Sequence, residues 1–247
     1  MAAFILRDAK ILYEGFDISG LLNSVALAHS SDLQDGSTFA QTTRVMVPGV
    51  MDSNVEVNGF HDDTVDPLLF EGVGKVTPPV DVLSLSPDGG SPGDVSYSMD
   101  VDVASYSPGG NYGEIFGFST TFQGHGPLIR GTLLQNGAET VTGVGTERVI
   151  GTLSAEEGLW AALHVFGITG TTVTIDVKIT SDVTGFGSPT DRITFTQVTD
   201  VTGVGAEFIK LDGPITPDDE FRAEWTITGA SPSFSIFVTV GKRLLLR

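Results

Sequence analysis

The side chains in this sequence that could do chemistry are scattered. His29, His61, His125 and His164 are its only imidazoles, and no two have the three- or four-residue spacing of a paired metal site. His164 falls within the apolar run Leu159–Phe166, where a packed histidine is the expected role. Ser and Asp are common, but no Gly-x-Ser-x-Gly turn presents a serine as a nucleophile. The acidic groups Asp62-Asp63, Asp100 with Asp102, and Asp218-Asp219-Glu220 offer oxygens to calcium, yet none has EF-hand spacing. Gly143-Val144-Gly145 lacks the Gly-Lys-Ser/Thr ending of a phosphate loop and reads as a turn. With no cysteine, disulfides, thiolate ligands and Cys nucleophiles are all excluded. The residues point to a protein that is not an enzyme and has no cofactor and no metal site.

What such residues sit on is a series of strands. In Val95–Val103, Val95, Tyr97, Met99, Val101 and Val103 alternate with Ser96, Ser98, Asp100 and Asp102. Val173–Ile179, Phe221–Ile227 and Phe234–Val240 show the same period of two, the pattern of strands with one buried face. The expectation is an all-β chain with one short helix. That helix begins near Asp66, a candidate cap, with Pro67 in its first turn, Leu68, Leu69 and Phe70 as its apolar face, and Gly72 at its end. The net charge of −18 is concentrated early: residues 1–128 carry 4 Lys/Arg against 17 Asp/Glu, and residues 129–247 carry 9 against 14. Such a surface repels phosphate backbones and argues against sequence-reading nucleic-acid binding. It suits either solubility or a surface past which nucleic acid must slide. No apolar run approaches the roughly 20 residues of a membrane helix, and the start, Met1–Asp8, lacks the pattern of a secretory leader. Synthesis and assembly in a cytoplasm are expected.

Gly124-His125-Gly126-Pro127 suggests a boundary between domains 1–128 and 129–247. In the first, strands are expected at Phe4–Tyr13, Ser24–Ala28, Arg44–Val47, Asn54–Phe60, Val80–Leu85, Val95–Val103 and Ile115–Phe122. Ser30–Thr43 reads as a long polar loop and Pro48-Gly49 as a turn. The second holds about eight strand candidates with turn signals every 8–12 residues, the mark of a second β-sandwich. Trp225 is in phase with Phe221, Ala223 and Ile227 and is expected in the core, while Trp160 could be a stacking platform for sugar. The chain ends Lys242-Arg243-Leu244-Leu245-Leu246-Arg247, three bases and three leucines that suggest a docking arm.

The first half carries a resemblance. Gly15-Phe16-Asp17-Ile18-Ser19-Gly20 and Leu22-Asn23-Ser24-Val25 lead into a polar loop with Asp35, Ser37, Thr38 and Phe39. Arg44, Pro48-Gly49, Asn58-Gly59-Phe60, the short helix and Phe116-Gly117-Phe118-Ser119-Thr120-Thr121-Phe122 follow in order. Over residues 4–125 this resembles the major tail protein, or tail tube protein, of long-tailed bacteriophages. The resemblance implies a β-sandwich with a flanking helix that lends strands to an oligomeric barrel, its rings stacked into a tube in the virion tail. Copies of itself would be the main partner, as hexamers, or trimers if both domains form the tube, alongside other tail proteins. Phage DNA would transit without specific binding. Asp100 and Asp102 are then expected to face the bore, and Asp35, Thr38, Phe39 and Lys242–Arg247 to contact the next ring. A capsid decoration protein, a tail terminator and a carbohydrate-binding module are the alternatives.

Overall fold

The computed structural model describes residues 8–38, 42–75, 81–183 and 185–245. Its elements are the strands Lys10–Tyr13 (β1), Phe16–Asp17 (β2), Leu22–Asp35 (β3) and Met46–Phe60 (β4), then the helix Asp66–Gly72 (α1). Asp81–Ser86 (β5), Val95–Gly109 (β6), Gly117–Gly124 (β7), Ile129–Glu139 (β8), Gly143–Val144 (β9) and Arg148–Val149 (β10) come next. Glu157–Asp182 (β11), Thr190–Thr194 (β12), Val198–Thr199 (β13), Gly205–Asp212 (β14) and Glu220–Leu244 (β15) complete the chain. The protein is all-β with one short helix, and that helix is not long or apolar enough to cross a membrane.

Two compact units form, and neither is continuous in sequence. One comprises residues 1–20, 81–99 and 129–247; the other comprises 21–80 and 100–128. This departs from a division at residue 128, and strand pairing gives the reason. β1 pairs with β5, and the first half of β6 pairs with β8, which pairs with β15. Those hydrogen bonds bind residues 10–13 and 81–98 to the later strands.

In the first unit the dominant feature is a single antiparallel ladder between β11 and β15, running from Glu157↔Leu244 to Asp182↔Glu220. The expected strands at 159–166 and 173–180 are therefore two parts of β11, bent at register shifts between Val165 and Thr174. From Leu159 to Val165, β11 is buried on both faces. Leu159, Ala161, Leu163 and Val165 enter the main core with Ile236, Val238 and Val240, while Phe166 packs on a smaller cluster of Leu12, Leu133 and Phe237. The turn from β1 to β2 uses positive φ at both Glu14 and Gly15, and a Cβ at Gly15 would lie 2.4 Å from the Gly205 backbone nitrogen. The expected strand Arg148–Leu153 is only β10 and one bridge, Leu153↔Ile215.

The second unit is a four-stranded antiparallel sheet in the order β3-β4-β7-β6, with α1. Here the loop expected at Ser30–Thr43 is shorter, because β3 continues to Asp35 and pairs with β4 back to Met46. Pro48-Gly49 is no turn. Leu33 pairs with Pro48 and Ser31 with Met51, so Gly49 and Val50 stand opposite Asp32 as a bulge. Helix α1 occupies the expected residues, but Asp66 does not cap it. No side chain caps it; Asp62 instead shapes the turn that leads into it, its carboxylate accepting the Thr64 and Val65 amides. Asp66 accepts the Tyr106 hydroxyl at 2.5 Å, which ties the helix to β6.

Candidate assembly surfaces

The four-stranded sheet has one apolar and one polar face. Val55 and Val57 of β4, Phe118 and Phe122 of β7, and Val101 and Val103 of β6 are buried, as is Leu69 of α1. The opposite face follows from the pleat and the register. Ser24, Ala26 and Ala28 of β3 lie beside Asn58, Glu56 and Asn54 of β4, which lie beside Ser119, Thr121 and Gln123 of β7. Asp102 of β6 pairs with Gln123, and Asp100 is two residues away on the same face. This face has three carboxylates, Glu56, Asp100 and Asp102, and no Lys or Arg among those positions. Asp52, two residues before Asn54, extends it and accepts a hydrogen bond from the Gln123 amide.

Asp100 and Asp102 thus share a face as their spacing predicts, but neither is fully solvated. Asp102 accepts His125 at 2.9 Å, and the Asp100 carbonyl accepts the His125 amide at 2.9 Å. Burial pushes the Asp100 carboxyl up to about 6, against the pull of His125. The folded protein therefore holds a proton here that the unfolded chain releases near pH 4. Stability from this group is present below that pH and is lost as pH rises through about 6. The variant Asp100→Asn should match the parent at pH 4 and exceed it at pH 8 by about 1 kcal/mol after solvent screening. Urea melts at the two pH values check this, and equal midpoints at pH 8 would contradict it.

The same strand changes environment along its length. Ser96 and Ser98, expected on the solvent side, are buried, whereas Val95 and Tyr97 are only half-buried. Ser98 is part of a closed hydroxyl chain. The His164 Nε2 and the Ser84 hydroxyl are 2.9 Å apart, as are Ser84 and Ser98, and Ser98 and Thr239. All four residues are buried, and Phe237 meets the imidazole edge at 6.2 Å between ring centres. Burial depresses the His164 pKa to about 3, so the ring is neutral. The buried serines carried no sequence signal, since Ser alternating with Val is also the pattern of a solvated face.

The sheet's edges are unequal in cover. Among the described residues β3 pairs with β4 alone over its fourteen residues, and most of it is exposed. Beyond the bridge Val73↔Val103, residues 104–109 of β6 pair only with β7 among the described residues. At the far end of β3 the Asp35 carboxylate accepts the Ser37 amide and Arg44, which hold it below its ordinary pKa. Thr38 is in the loop that follows, and Phe39 lies outside the described residues.

The C-terminal segment is not a free arm. Lys242, Arg243 and Leu244 pair with Leu159, Gly158 and Glu157 in the ladder. The Lys242 ammonium donates to the Thr152 carbonyl at 2.9 Å, and the Leu245 amide to the Glu156 carbonyl at 2.7 Å. Leu244 is exposed, Leu245 is half-buried, and Leu246 and Arg247 lie outside the described residues. The basic, apolar composition that suggested docking elsewhere serves the chain's own sheet.

Other candidate chemistry is absorbed by structure. Trp225 is buried with its indole donating to the Val141 carbonyl at 3.0 Å. Trp160 is buried too, with Lys210 over its ring, so it presents no open platform for a sugar. Burial opposes ionisation of Asp218, but hydrogen bonds from Arg192 and Ser181 outweigh it and hold the carboxyl below its ordinary value. His61 lies 3.3 Å from Asp63 and edge-on to Phe116.

No protein-family model matches this chain, and no curated protein matches it in sequence. Solved structures are similar to it. A chain in the virion of a native gene transfer agent particle has 14% identity and a TM-score of 0.40, over 49% of this chain and 94% of that one. A chain of the sheath/tube terminator of PVC, an extracellular contractile injection system in its extended state, has 13% identity and a TM-score of 0.43, over 53% and 97%. A chain of the phage p2 baseplate in its activated conformation has 10% identity and a TM-score of 0.35, over 96% and 98%.

Proposed function

We propose that this chain is a non-enzymatic structural subunit of a bacteriophage tail tube. The observation that carries this reading is β3. It is long, pairs on one side only among the described residues, and contains neither proline nor lysine, the residues that usually blunt an exposed edge. Such an edge is a template for another strand, and the uncovered end of β6 offers one of opposite position in the same sheet. Pairing β3 of one copy with β6 of the next continues the sheet from subunit to subunit until it closes, leaving no free edge.

Physical size favours a ring of about twenty-four strands, either six copies giving four each or three giving eight. With strands about 4.8 Å apart and tilted by about 40°, twenty-four close at a diameter of about 48 Å between backbones. Lining side chains leave a bore of roughly 35 Å, against roughly 20 Å for a duplex whose grooves each cut about 8 Å inward. Twelve strands would leave far too little. The polar face, with Glu56, Asp100 and Asp102 and no basic residue among its paired positions, then lines the bore and lets DNA transit without adhering. Rings stack into the virion tail after assembly in the host cytoplasm, with other tail proteins as partners.

The absence of native cysteine allows a clean test. Single cysteines placed on β3 at Ser24, Ala26 or Ala28, each combined with one on β6 at Ala104, Ser105 or Ser107, should yield disulfide-linked multimers under oxidation. At least one pair should give a ladder that stops at the ring number. Monomer alone for every pair, in a preparation that shows rings by microscopy, would rule out this pairing.

A further inference from the structure

One stretch of sequence occurs twice in the first unit. Val141-Thr142-Gly143-Val144-Gly145 returns as Val201-Thr202-Gly203-Val204-Gly205, each followed two residues on by a glutamate, Glu147 or Glu207. Ile168-Thr169-Gly170 returns as Ile227-Thr228-Gly229 at almost the same spacing, 59 residues against 60. The backbone repeats with the sequence. Gly170 and Gly229 have φ of 122° and 111°, and two residues on, Thr172 and Ser231 have φ of 51° and 50°. A left-handed conformation is costly for a residue with a side chain, most of all a β-branched one. Two such corners with matching sequences are one part used twice. Both Val-Thr-Gly-Val-Gly loops also leave their valines exposed.

We infer that the first unit is built around two repeats of one strand set, β8–β11 and β12–β15, related by a two-fold axis and fused in one chain. The strand pairing has that symmetry. β14 lies outside the first half of β11, as β9 and β10 lie outside the first half of β15. β8 lies outside the second half of β15, as β12 and β13 lie outside the second half of β11. A half-turn exchanges the strands of an antiparallel ladder, and here its axis runs through Thr171↔Ala230, where a residue pairs with its own counterpart. The axis leaves through the bridge Leu153↔Ile215, in which each amide donates to the other's carbonyl, at 3.0 and 2.9 Å. The bonds flanking that bridge match as well. The Gly151 amide donates to the Asp219 carbonyl and the Gly213 amide to the Glu157 carbonyl, both at 2.9 Å.

The symmetry accounts for the core. Ile175, Val177 and Ile179 of the first repeat enter it together with their counterparts Phe234, Ile236 and Val238, so neither repeat buries its apolar face without the other. The corners are where the two repeats meet. A Cβ on Gly170 would lie 3.0 Å from the Ala230 and Ser231 carbonyl oxygens, and a Cβ on Gly229 would lie 2.7 Å from the Thr172 carbonyl oxygen. Each glycine thus admits the other repeat's corner, and the two corners form a single clasp. The repeats differ in what they carry. β8 pairs with β6, which continues to β5 and β1, whereas among the described residues β12 pairs with β11 alone.

Substitutions at the corners of the full chain test this. Gly170→Ala and Gly229→Ala should lower the urea midpoint by similar amounts, because each new Cβ drives into the opposite repeat. Both damage the one clasp, so the double variant should lose clearly less than the two single losses added together. Unequal losses, or a double variant whose losses simply add, would overturn the inference, since the corners would then be two unrelated turns. Should a glycine variant fail to fold, Thr172→Gly and Ser231→Gly carry the test. Each removes a side chain from the left-handed region without adding an atom, and both should raise the midpoint. A midpoint that falls at either position would show that the two corners are not equivalent and would equally overturn the inference.

Discussion

Lowering the pH from 6.5 to 4.5 should cost the first unit about 2–3 kcal/mol through His164 alone. The imidazole is fully buried, its pKa is depressed to about 3, and its one hydrogen-bond partner is the Ser84 hydroxyl at 2.9 Å. Its Nδ1 is buried without a hydrogen bond. In the unfolded chain the ring takes a proton near pH 6.5, whereas in the folded one it stays neutral until about 3. Stability is therefore full above 6.5 and falls as pH drops below it, at up to about 1.4 kcal/mol per unit. His164→Gln keeps a partner for Ser84 and removes the titration. It should be less stable than the parent at pH 7 by about 1–3 kcal/mol and lose less on acidification. Chemical denaturation at pH 7 and 4.5 measures both effects, and an unchanged pH slope in the variant would refute the assignment.

Removal of residues 242–247 should destabilise the subunit by about 3–5 kcal/mol. The segment closes one end of the β11–β15 ladder, and its loss strips the pairing of Leu159, Gly158 and Glu157 along with the Lys242 and Leu245 hydrogen bonds. At about 1 kcal/mol for each hydrogen bond, with the half-buried Leu245 added, the sum reaches that range. The composition of the segment suggests a dispensable arm, for which truncation would spare the fold and block only assembly. A truncated protein with the parental melting temperature would restore that view.

These two cases show what the residues did and did not announce. Alternation located β6, both parts of β11 and both parts of β15, because burial of one face writes itself into every second side chain. It could not say that two strand segments join into one ladder, since the bend at Gly170–Thr172 has the composition of a turn. Nor could it extend β3 through Ser30–Asp35, because a ribbon exposed on both faces has no apolar period to read. Asp100 and Asp102 were legible as one polar stripe, while Glu56 and Gln123 join them only once the register of β4 and β7 is known. The packing of His164 was expected from its apolar surroundings; its hydroxyl partners come from segments 66 to 80 residues away and left no local mark.

The most direct test of the account is a reconstruction, by electron cryomicroscopy, of the assembled protein at a resolution that traces strands. It should show β3 of each subunit hydrogen-bonded to residues 104–109 of β6 in its neighbour, around a closed barrel of about twenty-four strands with Glu56, Asp100 and Asp102 facing the bore. Subunits assembled with the β3 edge left in solvent, or with those carboxylates on the outer surface, would contradict it.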